Sequence, residues 1–110
     1  MDEEQFAQSI REVAHMLKAA EISVAKTEAE LKREIAKMMV KAELEGSKSA
    51  AAQSRYADEC ESVYEARVSH GIARGELAFA KAELKAREIN FEHWRTRAAS
   101  LRLERKAYNA

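Results

Sequence analysis

The 110-residue sequence contains no proline, three glycines, one cysteine and only seven aromatic residues. A chain of this length carries about five prolines on average. Because proline breaks helix interiors, its absence beside abundant Ala, Glu, Lys, Arg and Leu points to long uninterrupted helices. The lone Cys60 has no partner for an internal disulfide, which leaves only pairing between chains. No apolar run approaches the roughly 18 residues needed to span a bilayer. The acidic start Met1-Asp2-Glu3-Glu4 does not resemble a secretory signal, so a soluble cytoplasmic protein without a membrane partner is expected. Few aromatics and many alanines imply a thin core, since alanine buries little area. Small chains with thin cores are commonly completed by oligomerisation.

Net charge is also lacking: Lys plus Arg and Asp plus Glu each number 19. A generally basic, nucleic-acid-coating protein is excluded. The charges are nevertheless segregated. Residues 1–65 hold 14 acids and 9 bases, and residues 66–110 hold 5 acids and 10 bases.

Phe6, Ile10, Val13, Leu17, Ala20, Val24, Leu31, Ile35, Met38 and Ala42 recur at spacings of 3, 4 and 7. With Thr27 as a polar member, their mean spacing is about 3.6, the straight-helix period rather than the 3.5 of a sustained supercoil. This predicts a first helix over 3–45 with one apolar face. Glu45-Gly46-Ser47-Lys48-Ser49 carries a C-terminal glycine and an N-cap serine, predicting a turn at 46–48. A second helix is expected over 49–107. The pair Gly71 and Gly75 leaves two readings: close approach of a neighbouring helix, or a break near His70-Gly71.

After residue 72 two apolar stripes coexist. One is Val68, Ile72, Gly75, Phe79, Ala82, Ala86, Ile89 and His93. The other is Leu77, Ala80, Leu84, Phe91, Trp94, Ala98, Leu101 and Tyr108. They lie roughly 140° apart on a helical wheel, so the helix needs cover on two sides. The expected fold is all-α: an elongated, coiled-coil-like antiparallel hairpin, oligomeric, with residue i opposite about 93 − i. Residues 93–110 then overhang by about 27 Å of helix. The second stripe, with Leu77, Leu84, Phe91, Trp94, Leu101 and Tyr108, is the expected interface for a second copy or a protein partner.

Arg95, Arg97, Arg102, Arg105 and Lys106, interleaved with Trp94 and Tyr108, form a basic end suited to nucleic-acid phosphates or an acidic protein surface. Glu12-Val13-Ala14-His15 has the carboxylate-x-x-histidine spacing of di-iron bundles, yet no second copy of the motif occurs, so no metal site is expected. The acids Asp58, Glu59 and Glu61 around Cys60 disfavour its thiolate. No phosphate loop, nucleophile elbow or carboxylate pair is present, so no catalytic residue, cofactor or small-molecule substrate is expected.

The segments Phe91-Glu92-His93-Trp94-Arg95-Thr96-Arg97-Ala98-Ala99 and Leu103-Glu104-Arg105-Lys106-Ala107-Tyr108 resemble the small helical accessory proteins of temperate tailed phage early regions. The resemblance covers under a fifth of the chain. It implies an accessory role near recombination or host takeover and carries over no functional residue.

Overall fold

The computed structural model describes residues 1–109, and among them only helices and their connections occur. Helix α1 spans Glu3–Leu44, α2 spans Ala50–Glu59 and α3 spans Glu61–Asn109. The chain divides into two compact units. One comprises Met1–Leu17 and Phe79–Ala110, the other Lys18–Ala78.

Helix α1 starts with a reciprocal cap. Asp2 Oδ1 accepts from the Gln5 backbone N–H, and Gln5 Oε1 accepts from that of Asp2, both at 2.8 Å. Two of the unpaired N–H groups at the helix start are thereby satisfied. The turn after Leu44 passes through Gly46, whose φ of 110° falls in the left-handed region that favours glycine. Ser47 N–H bonds back to Ala42 C=O at 2.9 Å, and Gly46 N–H to Glu43 C=O at 3.1 Å. Ser49 then caps α2 by accepting from Ala52 N–H.

The expected single second helix is interrupted. Cys60 adopts extended backbone (φ −76°, ψ 135°) between α2 and α3, and Arg67 bridges the interruption to Asp58 at 2.7 Å. No glycine or proline marks this break. Gly71 and Gly75, by contrast, lie inside uninterrupted α3.

In the unit Lys18–Ala78, the later part of α1 packs antiparallel against the start of α3. Its buried residues are Ala20, Ala42, Ala57, Val63 and Ala73. Thr27 Oγ1 lies 2.8 Å from Ser23 C=O and shares a hydrogen bond with His70 Nδ1 at 3.1 Å, so His70 points into the seam. This pairing puts residue i opposite 97 − i. In the other unit, Phe6 meets Phe91, and Ser9 meets Arg87. The register there is the same to within a residue. The 93 − i expectation is corrected because the reversal centres on Lys48 and Ser49, two residues later than Gly46 and Ser47, and each residue of delay shifts the register by two.

The covered positions of α3 are Val63, Ala66, His70, Ala73, Leu77, Ala80, Leu84, Arg87, Phe91, Trp94 and Ala98, with Ser62 half-covered beside Val63 and Glu83 beside Arg87. These positions alternate by three and four, which is the 3.5 period. In α1 the same alternation holds from Phe6 through Thr27. The 3.6 mean came from the added residue between Leu31 and Ile35.

Candidate interaction surfaces

The second stripe, expected to face a partner, faces inward along most of its length. Phe6 lies 5.6 Å from Phe91 and 5.5 Å from Trp94 between ring centroids, both tilted, and Phe91 stacks on Trp94 at 6.1 Å. Such spacings suit aromatic pairs, whose quadrupoles favour tilted or offset geometry. Leu84 is half-buried on this same face, and Leu77 is half-buried in the other unit. Leu77, Leu84, Phe91 and Trp94, expected at an interface, are thus half-buried within the chain itself. Leu101 and Tyr108 are exposed, since in the observed register Met1 stands level with residue 96.

Two polar residues kept this seam from being recognised in the sequence. Arg87 Nη1 donates to Ser9 C=O at 2.9 Å and to Ser9 Oγ at 3.1 Å, and it lies 3.9 Å from Glu12, while its Nε meets Glu83 at 3.2 Å. Its guanidinium sits over the seam while its stem packs there. His70 occupies an equivalent position through Thr27. The signal that could have found both is the strict alternation of three and four running through them.

The first stripe is the uncovered one. Val68, Ile72, Phe79 and Ile89 are exposed, as is Tyr64 one turn earlier. Beside them, an added Cβ at Gly71 or Gly75 would meet no atom within 4 Å.

Of the basic residues, Arg95 is engaged within its own helix. It pairs with Glu92 at 3.3 Å and lies over the Phe91 ring at 5.6 Å. Arg97, Arg102, Arg105 and Lys106 are exposed on the segment of α3 beyond the start of α1, with Leu103 and Tyr108 among them. A shallow depression of about 830 Å³ there is lined by Ala99, Arg102, Leu103, Arg105, Lys106 and Asn109.

Cys60 is half-buried, with its Sγ donating to Tyr56 C=O at 3.3 Å. A hydrogen bond to the Glu45 side chain, aided by slight desolvation, pushes the Tyr56 hydroxyl above its ordinary 10.0. Among the described residues no His, Cys, Asp and Glu cluster with metal-holding geometry occurs, and no helix is long and apolar enough to cross a membrane. No protein-family model, curated protein or solved structure matches this chain.

Proposed function

We propose that the chain is a non-enzymatic helical interaction protein: a coiled-coil-like antiparallel hairpin that works by self-association. The observation that carries this reading is the exposed stripe of Tyr64, Val68, Ile72, Phe79 and Ile89 on a helix whose opposite face is already covered. Monomeric proteins rarely display apolar patches above a few hundred Å², and larger ones mark interaction sites. The accessory role implied by the resemblance to phage proteins agrees with such a molecule. Light scattering over micromolar concentrations tests the reading. A mass that rises to a defined multiple of the chain supports it, and a single-chain mass throughout refutes it.

A second reading rests on a separate observation, the exposed Arg97, Arg102, Arg105 and Lys106 beside an exposed Tyr108. These groups can contact phosphates while Tyr108 stacks on a base. Trp94, which packs on Phe6, takes no part. A low-salt mobility shift that disappears on charge reversal at Arg102 and Arg105 supports this reading. Absence of any shift with DNA or RNA refutes it.

A further inference from the structure

We infer that the occupant of the exposed α3 stripe is a second copy of α3, running antiparallel, with the two-fold axis passing near residue 77. The inference rests on the self-association proposed above and adds the face, the direction and the register.

Three observations carry it. The first is self-complementarity of size. Large side chains stand at Val68, Ile72 and Phe79, and small ones at Gly75, Ala82 and Ala86. A two-fold that places residue i opposite 154 − i sets Phe79 against Gly75 of the second copy, Ile72 against Ala82, and Val68 against Ala86. Each of these three large residues then meets a small one, the self-complementarity that an isologous interface needs, while Ile89 and Tyr64 come opposite Glu65 and Asn90 at its ends. A parallel, in-register pairing sets Phe79 on Phe79 and leaves Gly75 facing Gly75.

The second is the space at the glycines. An added Cβ at Gly75 or Gly71 would touch nothing, so the chain itself does not require glycine there. Neither has the positive φ that demands it, since only Gly46 does. A ring seated over Gly75 from outside supplies the missing reason.

The third is area. Tyr64, Val68, Ile72, Phe79 and Ile89 are 60, 43, 59, 63 and 45% exposed. With full aromatic side chains burying about 150–250 Å² and aliphatic ones somewhat less, this is on the order of 500 Å² per copy. Two copies remove roughly 1,000 Å² from water, the size at which a specific interface begins. One feature opposes the pairing: Glu76 lies beside the two-fold, so two carboxylates approach each other.

The experiment uses the full chain with Cys60→Ser and Ala78→Cys, because position 78 stands one residue from the two-fold, opposite position 76 of the second copy and within reach of its own counterpart. Equilibration in a glutathione redox buffer, at a concentration where the protein is dimeric, is expected to convert most of the chain to a disulfide-linked pair. Lys81→Cys in the same background, about 130° from the centre of the stripe on a helical wheel, is expected to stay monomeric under denaturing electrophoresis. Separately, Glu76→Gln is expected to lower the dissociation constant several-fold, and the effect to shrink at high salt. A dimer that persists in solution without cross-linking through residue 78 overturns the register while leaving self-association standing. A single-chain mass for the parent protein overturns both. Cross-linking through Lys81→Cys as readily as through Ala78→Cys overturns the assignment of the face.

Discussion

Replacing Gly75 by leucine changes sign according to what lies over it. Within one chain the substitution is free of clash, since an added Cβ has open space and the backbone is ordinary helix. Glycine costs about 1 kcal/mol relative to alanine in a helix interior, and leucine is nearly as good a helix former as alanine. An isolated chain therefore gains close to 1 kcal/mol, a rise of about 3–6 °C in Tm for a domain of this size. Against a second copy the same leucine meets Phe79, and symmetry repeats the conflict. Overpacking costs about 1–3 kcal/mol per site, so the dimer loses roughly 2–6 kcal/mol. The dissociation constant then rises by about 30-fold to 10⁴-fold. Thermal melts by circular dichroism at several concentrations, with sedimentation velocity beside them, read both effects. The Tm is expected to rise at dilutions where the parent is monomeric and to fall relative to the parent at high concentration. A variant with the parent's mass at every concentration and a uniformly higher Tm refutes the reasoning.

Other perturbations probe the remaining parts. Trp94→Ala removes a half-buried ring from the Phe6 and Phe91 cluster. Full burial would put the loss at about 3–5 kcal/mol, so about 2 kcal/mol is expected here, measured by thermal unfolding. Amide exchange should quicken in residues 3–17; unchanged protection there contradicts the packing. Gly46→Ala forces a Cβ into φ 110° and is expected to cost about 1–2 kcal/mol in chemical denaturation, whereas a neutral result contradicts the cap. Tyr56 has a raised pKa, so its contribution to stability is complete below 10.0 and is lost as pH climbs through the higher folded value. Tyr56→Phe is expected to flatten the alkaline limb of the stability profile, and an unchanged limb assigns that loss to other groups.

The sequence revealed some of this architecture and hid the rest for physical reasons. The face of α1 was legible because its apolar residues fall on one side. The stop after Leu44 was legible because Gly46 and Ser49 are chemically suited to ending and starting helices. The break at Cys60 was not, since nothing in Asp58-Glu59-Cys60-Glu61 disfavours helix. Choosing which stripe of α3 faces α1 failed for a subtler reason. Both keep spacings of three and four, and the outer one contains Phe79 and Ile89, as apolar as Leu84 and Phe91. The inner stripe is interrupted by His70 and Arg87, which look unsuited to a seam until Thr27 and Ser9 are found opposite them. The basic end was legible as composition, but Arg95 turned out to be held by Glu92 and Phe91.

The face with Leu84, Phe91 and Trp94 packs within the chain, and the proposed pairing gives the face with Phe79 to a second copy. Sedimentation equilibrium of Phe79→Glu, with its helical content recorded in parallel, tests this most directly. The expected result is a fully helical protein of single-chain mass at concentrations where the parent is dimeric. A helical variant that keeps the parent's mass contradicts the account.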